Sequence, residues 1–239
     1  MRKLRSVTPA ARRHEVPEGG PLPADVLPYL LHLPEDYDSD PERRWPLVLF
    51  LHGAGERGFD LDSVTKHGLP KLAEAGTEFP FVIATPQCPA SSQWGAEVTT
   101  LAGLLDDVAA DYRIDPSRVY ATGLSMGGHG TWSLAIRYPE RFAAIAPVCG
   151  SLWLQGVEPI RALPVWTFHG EEDKTIPIES TEKIVAGLEA LGGDVRFTRY
   201  PGVGHDSWTQ TYDNPGLYDW LLAHRRTDLA GSPTAASPS

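Results

Sequence analysis

Short apolar runs alternate along this chain with stretches whose apolar residues recur every three or four positions. Seven runs read as strands: residues 29–33, 47–52, 81–85, 119–122, 143–148, 165–169 and 195–200. Leu47-Val48-Leu49-Phe50-Leu51 contains no polar position, as expected of a strand covered on both faces in a parallel sheet. Leu101, Leu104, Leu105, Val108, Ala109 and Tyr112 form one helical stripe, and Ile184, Val185, Leu188 and Leu191 form another. Gly192-Gly193 supplies a stop after the second stripe, and Asn214-Pro215 offers an N-cap for a last helix carrying Leu217, Trp220 and Leu221. Strand–helix alternation of this kind predicts an α/β protein: a mostly parallel central sheet flanked by helices on both faces. In such sheets reactive residues collect in the loops at the carboxyl ends of the strands.

Composition divides the chain into three parts. Residues 1–25 are rich in Arg, Pro and Gly and read as a solvated arm; 26–228 form the expected domain; 229–239 are low-complexity and read as a disordered tail. The net charge of −10 hides an acidic body, because five basic and no acidic residues fall within the first thirteen positions. An acidic body repels phosphate backbones, so no nucleic acid is expected as partner. No run approaches the ~20 apolar residues that span a bilayer, so no membrane is expected either. No apolar signal segment follows the basic start, and the expected location is cytoplasmic. Cys88 and Cys149 follow strands that two others should separate, a gap of roughly 14 Å, too wide for a disulfide; both are expected as free thiols.

Gly123-Leu-Ser125-Met-Gly127-Gly128 stands between a strand and a helix, which is the setting of a nucleophile elbow. The turn that lifts a serine hydroxyl out of a sheet is too crowded for side chains at Gly123 and Gly127, and Gly128 lets the helix approach the neighbouring strand. Serine needs a base near neutral pH. Of the histidines after Ser125, His129 sits within the nucleophile helix, His169 ends a buried strand and His224 lies on the last helix among arginines. His205, in the glycine-rich loop 201–208 after the last strand, is the expected base. The acid should precede it, in the loop after strand 165–169. Asp173 is chosen there over Glu171 and Glu172, because its position leaves the loop room to turn back toward the histidine. Charge developing on the carbonyl oxygen needs preorganised donors. The expected pair is the N–H groups of Met126 and of Ala54, with Gly55 the nearest competitor for the second. His52 more simply braces that loop, and Glu56 and Arg57 either pair across it or lie on the surface.

Three segments together resemble the α/β-hydrolase superfamily: His52-Gly-Ala-Gly-Glu-Arg-Gly58, Gly123-Leu-Ser-Met-Gly-Gly128 with Gly130-Thr-Trp132, and His169-Gly-x-x-Asp173 with Pro177. Within it the chain is similar to single-domain bacterial carboxylesterases described as phospholipase/carboxylesterase-like, relatives of feruloyl esterases and polyhydroxybutyrate depolymerases. The likeness runs from about Tyr29 to about His224. It implies a Ser–His–Asp triad, no cofactor, and small-molecule or polymer-linked ester substrates.

Trp94, Trp153 and Trp208 lie in loops after strands and are candidates for an aromatic substrate pocket, whereas Trp45, Trp132, Trp166 and Trp220 read as core. Only residues 150–163 separate two successive strands at the point where many relatives carry a lid; that length allows a minimal cap and an open site. The expected activity is hydrolysis of short-chain or aromatic esters of the feruloyl or acetyl type. A serine peptidase or acyltransferase with the same triad is the alternative, and a non-catalytic binding module is a third. No His/Asp/Cys set is spaced as metal ligands, so no metal is expected.

Overall fold

The computed structural model describes residues 12–14, 26–152 and 156–227. The rest of the expected arm, Trp153 and the tail lie outside the described residues. Every residue of the apolar run Trp45–Leu51 is buried. The run forms strand β3 near the middle of an eight-stranded sheet. Its companions are β1 (Arg12–His14), β2 (Tyr29–His32), β4 (Val82–Pro86), β5 (Ile114–Leu124), β6 (Ala144–Val148), β7 (Val165–Gly170) and β8 (Val195–Tyr200). The order is β1-β2-β4-β3-β5-β6-β7-β8. From β4 to β8 all neighbours pair in parallel, while β1–β2 and β2–β4 are antiparallel.

The period-two geometry of a strand sends alternate residues to opposite faces, and both faces are apolar here. Leu47, Leu49 and Leu51 join a cluster with helices α2 (Val98–Asp111), α3 (Met126–Arg137) and α4 (Glu179–Ala190). Val48 and Phe50 join the opposite cluster with α1 (Gly68–Glu74), α5 (Trp208–Tyr212) and α6 (Pro215–Ala223). The expected helical cover on both faces is thus present. Asn214 caps α6 as expected, its side-chain oxygen accepting from the Gly216 N–H at 3.0 Å.

Several boundaries differ from the sequence reading. β5 begins at Ile114, ahead of the expected Val119, because Ile114 pairs with Trp45. Asp115-Pro116-Ser117-Arg118 have no partner on β3, and the Ser117 N–H donates to Asp115 Oδ1 at 3.0 Å, so a local turn bulges within the strand. The register between β3 and β5 shifts between Trp45 and Leu47, on either side of Pro46, which has no N–H to donate. Helices α1 and α5, seven and five residues long, are too short to produce a periodic signal. The expected solvated arm needs correction at Arg12–His14, which adds the edge strand β1. His14 stacks on Tyr29 at 4.2 Å, Arg12 lies over the Tyr112 ring, and Arg13 pairs with Asp62. Cys88 and Cys149 are buried and free; β3 and β5 do separate the strands they follow. Among the described residues no helix is long and apolar enough to cross a membrane.

Candidate active site

Ser125 stands at the carboxyl end of β5, between that strand and α3, with φ 55° and ψ −116°. A non-glycine residue in this region costs on the order of 1–3 kcal/mol and persists only where the surroundings fix it. Here the Ser125 N–H donates to Val148 O at 3.0 Å, and Ser125 O accepts from the His129 N–H at 3.0 Å. The turn closes only because Gly127 has no side chain. A Cβ there would lie 1.8 Å from Leu51 O and 2.8 Å from His52 O. The first turn of α3 therefore runs against the end of β3.

His205 sits between β8 and α5, its side chain about one-fifth exposed. The loop carrying it is bound to the loop after β7. Glu172 N–H donates to Val203 O at 2.9 Å, and a Cβ on Gly170 would meet Gly204 O at 2.2 Å. That approach brings three side chains into one line. His205 Nδ1–H donates to Asp173 Oδ2 at 2.7 Å, which leaves Nε2 as the acceptor facing Ser125 Oγ at 2.9 Å. Asp173 Oδ1 accepts the backbone N–H groups of Thr175 at 2.8 Å and Ile176 at 2.9 Å. Burial pushes the Asp173 carboxyl upward, but the hydrogen bonds from His205, Ile176 and Thr175 outweigh it and hold the group below its ordinary value. Glu171 and Glu172 are exposed beside it.

The expected oxyanion donors lie on the two segments that Gly127 brings together. Met126 opens α3, and Ala54, exposed, opens the 3-10 turn Ala54–Glu56; first-turn N–H groups have no acceptor within their own helix. Gly55 is the next residue of the same turn. His52 braces this loop. Its Nδ1–H donates to Gly53 O at 2.6 Å and its Nε2 accepts from Cys88 N–H at 3.0 Å. Burial lowers its pKa to about 4, so the ring is neutral.

Trp94 does not line a pocket. It is fully buried, and its indole N–H donates to His52 O at 2.9 Å, making it a second brace of the same strand end. Trp208 does stand at the site, edge-on to the His205 ring at 5.3 Å. Trp45, Trp132 and Trp166 are core, and Trp220, on α6, is partly buried against the cluster that holds Trp166. Glu56 and Arg57 do not pair with each other. Arg57 donates to Ala54 O and Ser92 O, and Glu56 is buried 4.0 Å from His52 and 3.9 Å from His67. His129, excluded as base, bonds to Ser151 O at 2.6 Å, and His224 caps α6 through Trp220 O at 2.8 Å.

Two residues were not anticipated as neighbours of the site. His169 lies 3.1 Å from Asp173 Oδ2; its i,i+4 spacing from that acid was the available signal. Cys149, at φ 40°, completes the group among the described residues that could hold a metal, with one ligand atom each from Cys149, Asp173 and His205 within 4.8 Å. Two of those atoms are already joined by the His205–Asp173 hydrogen bond, and burial pushes the Cys149 thiol up to about 12, away from the thiolate a metal needs.

Residues 93–217 match the dienelactone hydrolase family. Among curated proteins, "Putative esterase NocK" of Nocardia uniformis subsp. tsuyamanensis is 30% identical over 69% of this chain and 50% of its own length. "Probable feruloyl esterase C" of Aspergillus terreus is 29% identical over 63% of this chain and 56% of its own. The chain thus spans about half the length of these two relatives. Among solved structures, a thermostable esterase superposes with a TM-score of 0.76 at 35% identity, covering 90% of this chain and 63% of that one.

Proposed function

From a chain that belongs to the dienelactone hydrolase family, within the α/β-hydrolase superfamily, we propose a serine carboxylic-ester hydrolase that works through Ser125, His205 and Asp173. One observation carries this: the unbroken hydrogen-bond line from Ser125 Oγ through both nitrogens of His205 to Asp173, at 2.9 and 2.7 Å. In the proposed reaction His205 Nε2 takes the hydroxyl proton as Ser125 Oγ attacks the ester carbonyl. Asp173 holds the ring in the tautomer that leaves Nε2 free and stabilises the imidazolium that forms. The N–H groups of Met126 and Ala54 meet the oxyanion. The tetrahedral species collapses by expelling the alcohol, which takes the proton back from Nε2, and leaves an acyl-serine. Water, activated by the same imidazole, then releases the acid.

The proposed substrates are short-chain or aromatic esters, small or hung on a polymer. Trp208 beside His205 supports an aromatic acyl group, as does the likeness to a protein named as a feruloyl esterase. Among the described residues, the connection between β6 and β7 carries just the 3-10 turn Glu158–Ile160, which favours substrates that need no lid. We place the whole reaction in one domain, residues 26–228.

The test is a panel of p-nitrophenyl esters of increasing acyl length, together with methyl ferulate. Wild-type protein is expected to cleave the short or the aromatic members, and Ser125→Ala to lose at least about a thousand-fold in kcat with an unchanged melting curve. A Ser125→Ala protein that retains most of its rate removes the assignment.

A further inference from the structure

His169 is the penultimate residue of β7 and is fully buried, yet every polar atom of its ring has a partner. Nε2 lies 2.8 Å from Ile176 O and 3.1 Å from Asp173 Oδ2. Both neighbours are acceptors, so Nε2 carries the hydrogen and shares it between them. Nδ1 lies 2.8 Å from Thr181 Oγ1 on α4. The same hydroxyl is 3.1 Å from Gly150 O, in the turn after β6. A chain of buried polar groups therefore runs from that turn through Thr181 and His169 to Asp173. Asp173 Oδ2 accepts from two imidazoles, His205 at 2.7 Å and His169 at 3.1 Å.

Building on the triad reading above, we propose that His169 is a positioning residue: it fixes the Asp173 carboxylate toward His205 and, by sharing Oδ2, moderates how strongly that oxygen holds the His205 proton. The torsion that orients an aspartate carboxylate is broad, so hydrogen bonds must set its angle. The backbone N–H groups of Thr175 and Ile176 hold Oδ1, and His169 holds Oδ2 independently of His205. Shared acceptance also divides the charge on Oδ2. Without His169 the oxygen would draw the His205 proton harder and favour the imidazolium, the form that cannot act as base.

Other charges around the pair do not supply this control. Among the described residues, Asp173 and Cys149, the latter from the turn after β6, stand beside His205, and Asp206 follows it in the chain. The Asp206 carboxylate is engaged by the N–H and hydroxyl of Thr209 in α5. The Cys149 thiol, pushed up to about 12 by burial, stays neutral through the assay range. His67 packs against Trp208, with ring centroids 5.6 Å apart. Among the described residues Asp173 is the ionisable group that His169 contacts; Thr181 and Ile176 O are neutral.

The experiment compares wild type, His169→Leu, His169→Gln and Thr181→Val in ester hydrolysis from pH 5 to 9. A second readout is the downfield proton signal of the His205–Asp173 hydrogen bond, observed by NMR without substrate. His169→Leu is expected to lower kcat about 10- to 100-fold, the cost of one hydrogen bond to a charged group, with KM little changed. The acid limb of kcat/KM should move upward by about half a pH unit or more, and the downfield signal should shift. His169→Gln, whose amide N–H reaches toward the same oxygen, is expected to restore the limb and most of kcat. Thr181→Val, which leaves His169 in place but unsupported, should move the limb in the same direction by less. If His169→Leu does not fold, this variant and His169→Gln decide the matter. A limb that stays still or moves downward overturns the proposal, as does a His169→Gln no better than His169→Leu. A wild-type protein inert toward every ester, yet with a downfield signal that responds to position 169, would instead separate failure of the ester reading from failure of this one.

Discussion

Side chains that look chemical divide here by whether their polar atoms are already spoken for. Trp94 and His52 both lie next to the nucleophile loop, yet each spends its polar hydrogen on backbone: Trp94 on His52 O, His52 on Gly53 O. Trp208 instead packs edge-on against the His205 ring. Trp94→Phe keeps the packing and removes the N–H, leaving a buried carbonyl unpaired. It is expected to lower unfolding free energy by about 1–2 kcal/mol in urea titration while KM for a short ester is unchanged. Trp208→Ala is expected to change KM. A KM that responds to Trp94→Phe and not to Trp208→Ala would reverse the two roles. His169 belongs between these classes, with one bond to backbone and one to the acid.

At the scale of elements, what matters is how closely backbones approach. The turn from β5 into α3 presses Gly127 against the carbonyl of Leu51, so even one methyl group there collides with main chain that cannot move without displacing β3. Gly127→Ala is expected to cost more than about 4 kcal/mol or to prevent soluble expression altogether. Gly55, one turn into the neighbouring loop, meets nothing within 4 Å, and Gly55→Ala should leave the melting temperature within the experimental scatter. Thermal denaturation of the two variants side by side is the check. Equal melting temperatures would mean that the elbow relaxes in a way the contact at Leu51 forbids. Gly170 makes the corresponding approach for the other half of the site, letting the loop of His205 touch the loop of Asp173.

For the whole molecule, acid stability follows from buried neutral histidines. Burial depresses His52 to about 4 from an ordinary 6.5, and burial likewise lowers His32 and His14. Between those two values the unfolded chain binds a proton that the folded chain refuses, so stability falls as pH drops from 6.5 toward 4. His52 alone accounts for on the order of 3 kcal/mol of this loss. Asp173, held below its ordinary value, adds to the loss at the acid end of the range, since its contribution is present above the unfolded value and disappears as the carboxylate is protonated. Urea titrations at pH 7.5 and pH 5 are expected to differ by about 1–2 kcal/mol, and His52→Gln to narrow the gap. Equal stability at the two pH values would rule out a buried neutral His52.

The sheet, its helical cover and the serine turn were legible in the linear pattern, because each depends on interactions short in sequence. Apolar runs bury on both faces, helical stripes repeat, and glycines stand where a sharp turn needs them. Placing Ser125, Asp173 and His205 in loops at strand ends needed no more than the rule for parallel sheets. Other features depended on contacts between distant segments. Ile114 joined a strand because Trp45 was there to pair with it, and Arg12–His14 became an edge strand because β2 offered an unpaired side. Trp94 turned inward because Gly130 left room against it. Asp173 gained His169 as a second donor because one strand end and one loop pack directly against each other, both side chains buried. Pattern along the chain fixes which residues can be buried or reactive. Which buried group touches which is a matter of packing, and that is decided in three dimensions.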